Sequence, residues 1–331
     1  MERGRRRCGQ TVPRVGGLVS EASAQHGVSK ASAHHGFTTR DVLCFVTVSL
    51  IWGSTWLVIK EQVAVMPAGW TVTFRFTLAA AGMFVLGRIR GEDMRLTPGR
   101  AGLAAMLGLL QFCGNFQFVY RAETFVTSGL VAVMYALLMV PNAVLARIFL
   151  GSRISGRFMA GSVVAGAGIA LLMAQEYGSA PPAGARDVAI GVGFTLLGIL
   201  CASSANILQA TPAGRQQAVV PLIAWAMVFG ALMDAALALT LYGAPSLAAP
   251  PPFWAGVVWL AGMGSVVTFP VYFSLIRSIG AGRAAYSNVV VPVVAMALST
   301  LFEGFQWTAL AIAGSVLALV GVLIALSGRK G

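Results

Sequence analysis

The chain has 331 residues, 57% of them hydrophobic and only 10% charged, with a mean hydropathy of +0.79 and a formal net charge of +12. So few charges exclude a water-soluble domain. Transmembrane β-strands are excluded too, because the apolar runs are about 17 to 25 residues long, enough to cross roughly 30 Å of hydrocarbon as helix, and do not come in half-length alternating segments.

Residues 1–40 precede those runs and are Arg-rich, then rich in Ser, Ala and His, with no apolar stretch fit for a signal-peptide core. The composition predicts a disordered basic tail. Its arginines would hold it near anionic headgroups, or give it a regulatory role. No methionine lies between Met1 and Met66, so a later start would need a non-standard codon.

Ten helical runs follow in chain order, at 42–59, 69–87, 101–119, 125–145, 158–174, 188–209, 218–241, 253–276, 284–302 and 308–326. Breakers and charges fill the connectors, as in "RIRGEDMRLTPGR" (88–100) and "EYGSAPPAGARD" (176–187). With the N-terminus inside, 19 basic residues fall in the tail and cytoplasmic connectors, against Lys60, Arg121 and Arg186 outside and Arg75 within a run. That asymmetry is the positive-inside pattern. The net charge therefore reports topology and not nucleic-acid binding.

Four cysteines, Cys8, Cys44, Cys113 and Cys201, have no metal-like spacing, and all three histidines lie in the tail. No metal site, cofactor site or disulfide framework is predicted. A membrane-embedded hydrolase would need a nucleophile with a base, and no such set can be assembled from the runs.

The chain also repeats itself. "GSVVAGAG" (161–168) returns as "GSVLALVG" (314–321), and "SLIWGSTWLVIK" (49–60) aligns with "GILCASSANILQ" (198–209). Pro67 answers Pro221, Tyr135 answers Tyr286, and Pro141 answers Pro292. A duplicated unit with an odd number of crossings inserts its second copy upside down, the architecture of alternating access. The expected fold is an all-α membrane protein of ten transmembrane helices, arranged as two inverted five-helix repeats (41–175 and 188–327) with both termini cytoplasmic.

In "IWGSTW" of the first run, Arg75-Phe76 of the second, a proline in the fourth and ninth, and a glycine-rich fifth and tenth, the chain resembles the drug/metabolite transporter superfamily in its ten-helix EamA-like branch. The resemblance spans residues 41–327. It departs from the family's Gly-Glu step after the fourth and ninth helices, where the sequence reads "LGSR" (150–153) and "FEGF" (302–305). The resemblance implies a central cavity bounded by the first, third, fourth, sixth, eighth and ninth helices, with the fifth and tenth outside.

Those six runs carry neutral polar and aromatic residues in helical register. Gln111, Asn115 and Phe118 fall at i, i+4 and i+7, and Ser265, Thr268 and Tyr272 form a similar stripe. Ser203 and Asn206 lie on the sixth run, Tyr135 and Asn142 on the fourth, and Asn288 a turn before Pro292. An unpaired amide in hydrocarbon costs roughly 2 to 7 kcal/mol, so each should face a wet cavity or a partner helix. On the first run, Trp52 and Trp56 sit away from the membrane ends favoured by belt tryptophans, with Thr55 between them. Substrate contacts are expected at Trp52, Thr55, Trp56, Gln111, Asn115, Phe118, Tyr135, Ser203, Asn206, Thr268, Tyr272 and Asn288.

Two charges stand clearly within runs, where they are functional candidates by default. Arg75 would draw in a carboxylate, gate the outer mouth, or pair with Glu61 or Glu123 as a clamp. Asp234 is a candidate for proton coupling. Gly161, Ala165 and Gly168, like Gly314, Ala318 and Gly321, give each outer helix a smooth face, for seating against its own half or for a homodimer seam.

The profile predicts a secondary active transporter of a bacterial cytoplasmic membrane, since Arg outnumbers Lys twenty to three as in GC-rich genomes. Its partners are the lipid bilayer and a small solute. The absence of deep acids from those six runs disfavours lipophilic cations, and one buried arginine is too few for sugar phosphates. Small neutral or zwitterionic solutes such as amino acids remain, exported by alternating access. The alternatives are efflux of drugs or other metabolites, a pore, or a structural membrane protein.

Overall fold

The computed structural model describes residues 39–179, 184–272 and 287–327. Among them every regular element is helical. Eight helices are long and apolar enough to cross a membrane: α1 (Thr39–Val63), α2 (Ala68–Ile89), α3 (Pro98–Ala122), α4 (Ser128–Leu150), α5 (Gly156–Gln175), α6 (Arg186–Ala210), α7 (Val219–Tyr242) and α8 (Pro251–Tyr272). Two further helices, α9 (Ser287–Phe302) and α10 (Ala309–Ser327), have shorter apolar stretches, Val290–Phe302 and Ala309–Ala325. Residues 1–38 of the basic tail and the Tyr286 repeat partner lie outside the described residues, while Thr39 and Arg40, expected in the tail, form the first turn of α1.

Local chemistry explains the ends. Prolines open α3 and α8 at the first helical turn, where a missing N–H goes unneeded. Gly151 ends α4 with φ +67°, a left-handed conformation that Gly adopts without strain.

Two helices are not α-helical throughout. Gly108–Asn115 of α3 and Gly262–Val267 of α8 are π-helical. Each begins ten or eleven residues after the proline that opens its helix, Pro98 or Pro251. A π turn bonds i to i+5, a rare geometry frequently found at functional sites.

α2 and α7 run antiparallel. Trp70, near the start of α2, donates from Nε1 to the Gly243 carbonyl just beyond α7 at 3.1 Å. Trp225, near the start of α7, donates likewise to the Met94 carbonyl beyond α2 at 2.8 Å. Phe76, Met83, Leu107, Phe112 and Met227 fill the core between α2, α3 and α7.

The glycine faces of α5 and α10 press against each other. A Cβ on Gly161 would lie 2.3 Å from the Ala325 nitrogen, and one on Gly168 the same distance from the Ala318 nitrogen. Early residues of α5 meet late residues of α10, so this pair is antiparallel as well. Neither expected use of the faces is what the structure shows. Each outer helix seats the other within one chain, and the faces offered for a dimer seam are consumed by that contact.

Candidate functional site

α1 is the spine of the site. Trp52 Nε1 donates to the Gly264 carbonyl of α8 at 3.3 Å, and its ring lies 5.0 Å from Tyr272 and 5.9 Å from Phe269. The Thr55 hydroxyl donates to the Trp52 carbonyl at 2.7 Å, and the Thr55 methyl packs toward Gly264. Trp52, Thr55 and Tyr272 thus form one polar-aromatic group between α1 and α8. The carbonyl that receives Trp52 belongs to the π segment.

One turn further along α1 a second group faces α3 and α4. The Trp56 ring lies 5.2 Å from Tyr135. Tyr135 in turn donates its hydroxyl to Asn115 Oδ1 at 2.6 Å, with Asn115 only 3% exposed. This approach depends on α6, where a Cβ on Gly198 would stand 2.5 Å from the Tyr135 hydroxyl oxygen.

Other expected residues make contacts between helices. Ser203 is fully buried and donates to the Leu138 carbonyl at 3.4 Å, and Asn206 donates to Asn142 Oδ1 at 3.4 Å. Both are long interhelical bonds tying α6 to α4. Phe118 stacks on Phe194 of α6, with centroids 6.1 Å apart. Gln111 is half-buried and apart from the Tyr135–Asn115 bond. The register between Gln111 and Asn115 is set by the π segment that ends at Asn115, and Asn115 and Phe118 both border Gly198 of α6. Thr268 is buried with its hydroxyl unpartnered. The Asn288 side chain lies outside the described residues.

Arg75 is 3% exposed and pairs with neither Glu61 nor Glu123. The clamp expected for it is replaced by two hydroxyls, those of Tyr120 at 3.1 Å and Ser265 at 3.5 Å. Tyr120 was not among the expected site residues. Its signal in the sequence is its place one turn beyond Phe116, whose ring also faces the guanidinium at 4.6 Å.

Asp234 is fully buried on α7 and accepts a hydrogen bond from Gln117 Nε2 of α3 at 2.8 Å. Cys113 and Arg121 are in its electrostatic reach. Gln117, one residue short of the Phe118 position, was also missed, since its partner lies 117 residues away.

Beyond the end of α3, Glu123 is buried with both carboxylate oxygens lacking hydrogen-bond partners. Burial pushes its carboxyl well above the ordinary value of 4.5, opposed by Lys60 and Arg75 and assisted by Glu303. Lys60 donates to the Glu123 and Val126 backbone carbonyls. Glu303 accepts from the Ser128 hydroxyl at 2.6 Å and from its backbone N–H at 3.2 Å, placing a carboxylate at the N-terminus of α4 as the helix dipole favours. Among the described residues no group of three or more His, Cys, Asp or Glu could hold a metal ion.

A bundle of apolar helices with neutral polar and aromatic side chains gathered at its interior is the build of a multi-pass membrane transporter. Residues 39–174 match the EamA-like transporter family. The uncharacterized inner membrane transporter YedA of Escherichia coli K12 is 30% identical over 280 residues, which are 82% of this chain and 87% of that protein. PagO of Salmonella typhimurium is 28% identical over 123 residues, 37% of this chain; that match spans only 40% of PagO. A solved crystal structure shares the fold with a TM-score of 0.63 at 18% identity, covering 88% of this chain and 98% of the other. The chain belongs to the EamA-like transporter family and is a multi-pass inner-membrane protein.

Proposed function

We propose that the protein is a secondary active transporter that exports small neutral or zwitterionic metabolites, such as amino acids, by alternating access. Its ten crossings form two inverted repeats, 41–175 and 188–327, with both termini cytoplasmic. The observation that carries this reading is reciprocity. Trp70 of α2 reaches past the end of α7 as Trp225 of α7 reaches past the end of α2. Related halves that exchange conformations open one side while closing the other, at little net cost. The α5–α10 seam, antiparallel and built from the repeated glycines, supports the same inversion. So do the two π segments, at matching depths in α3 and α8, where i-to-i+5 turns give each half a place to bend.

Solute contacts are assigned to Trp52, Thr55, Trp56, Asn115, Tyr135, Thr268 and Tyr272, with Gln111, Phe118, Ser203, Asn206 and Asn288 as further cavity positions. Amides, hydroxyls and rings on helices that carry no deep acid of their own suit neutral or zwitterionic ligands. Asp234 is the proton-coupling candidate. The aromatic set Trp52, Phe269 and Tyr272 favours efflux of bulky aromatic compounds as the second reading.

Purified protein in liposomes, offered amino acids, metabolites and aromatic drugs with and without a proton gradient, tests the proposal. Saturable flux with counterflow is expected. Non-saturable flux without counterflow would establish a pore, and no flux across the panel would end the transport assignment to these solutes.

A further inference from the structure

Arg75 brings into the bundle a positive charge that its surroundings do not neutralise. Among the described residues, Nη1 and Nη2 donate only to the hydroxyls of Tyr120 and Ser265, and the buried Nε has no acceptor. The rings of Phe76 and Phe116, at 5.1 and 4.6 Å from the guanidinium carbon, offset part of the desolvation of a buried cation. They cannot satisfy donors that lie in the guanidinium plane. Glu123 is the acid in electrostatic reach, but its burial favours the neutral carboxyl.

The neighbouring groups are arranged to help an incoming anion. The Tyr120 hydroxyl accepts from Arg75, and its own proton has no acceptor among the described residues. The Ser265 hydroxyl spends its proton on the Leu260 carbonyl at 3.0 Å, leaving its oxygen to hold the guanidinium. A Cβ on Gly264 would lie 3.0 Å from the Thr55 methyl and 3.6 Å from Arg75 Nη2. The guanidinium therefore borders the Trp52, Thr55 and Tyr272 group.

We propose that Arg75, with the Tyr120 hydroxyl beside it, receives the carboxylate of the transported solute, so that the carrier takes carboxylate-bearing solutes and rejects the matching amines. This deepens the transport reading above and rests on it. A planar guanidinium offers paired N–H donors in the geometry of a carboxylate. In a low-dielectric interior their attraction is much stronger than in water.

The adjoining rings make phenylalanine a suitable probe. Binding of phenylalanine, 3-phenylpropanoate (no amine) and phenethylamine (no carboxylate) is measured by tryptophan fluorescence on the purified full chain. The first two should bind, with phenethylamine at least about tenfold weaker, a difference in line with a charge-assisted bidentate contact. Arg75→Gln should erase that preference, Arg75→Lys should keep part of it, and Glu123→Gln should leave it intact. Equal binding of phenethylamine, no binding of either carboxylate, or an unchanged preference in folded Arg75→Gln protein would overturn the proposal. So would a several-fold gain in carboxylate preference in Glu123→Gln, since Glu123 would then already hold the guanidinium as its counter-ion. Should Arg75→Gln fail to fold, Tyr120→Phe removes only the hydroxyl donor. A several-fold drop in preference is expected there, and no drop would refute the proposal. Vesicles that show no flux while the preference persists would sink the transport reading alone.

Discussion

Gly161 and Gly321 meet face to face across the α5–α10 seam: a Cβ added to Gly161 would lie 2.5 Å from the Gly321 carbonyl oxygen. Backbone opposes backbone there, and neither side can rotate away as a flexible side chain would. Gly168→Val should therefore cost at least the roughly 1 to 3 kcal/mol of an overpacked core, seen as a lower melting temperature in detergent. Gly166→Ala, on the same helix but with nothing within 4 Å of its added Cβ, should be neutral or mildly stabilising. Equal melting temperatures for the two variants would show that the seam is looser than described.

Asn115 and Tyr135 are expected to act as a unit. Tyr135→Phe removes the donor to Asn115 Oδ1 and leaves a buried acceptor unpaired, a cost of about 1 to 3 kcal/mol. Asn115→Ala should weaken solute affinity. A double-mutant cycle on affinity should return a coupling of about 0.5 to 3 kcal/mol. If Asn115→Ala leaves affinity untouched, this pair is scaffold and the second polar-aromatic group is not a solute site.

Glu123 gives stability a pH dependence of definite sign. Its folded-state carboxyl is raised above 4.5, first by burial and then by Glu303, with Lys60 and Arg75 opposing. Above 4.5 the unfolded chain has released a proton that the folded chain keeps, so this group's stabilisation is full in acid and declines as pH rises. Melting temperature measured from pH 5 to 8 should fall more steeply for the native chain than for Glu123→Gln, where the slope from this group is gone. Parallel curves would show that Glu123 is ionised in the folded protein.

Asp234→Asn keeps the shape of the Gln117 contact while removing the titratable group. If Asp234 couples flux to protons, the pH dependence of vesicle transport should flatten in this variant. An unchanged profile assigns Asp234 to holding α3 against α7.

Hydropathy and helical period are local properties, and what depends on them was readable from the chain. The first eight apolar runs coincide with α1 to α8, and the smooth faces at Gly161–Gly168 and Gly314–Gly321 are present as written. Trp52, Trp56, Asn115 and Tyr135 stand out in the sequence as well, because a polar or bulky residue in an apolar run does so without knowledge of its partner. Partners were not legible. Nothing near Arg75 in sequence points to Tyr120 or Ser265, 45 and 190 residues away.

The sequence by itself determined that this chain enters a bilayer as helices, because backbone groups in hydrocarbon must bond within their own segment. Only the tertiary structure decided that α5 seats α10, that Gln117 meets Asp234, and that Arg75 meets hydroxyls in place of carboxylates. These outcomes depend on contacts between segments far apart in the chain, which no local property of the sequence encodes.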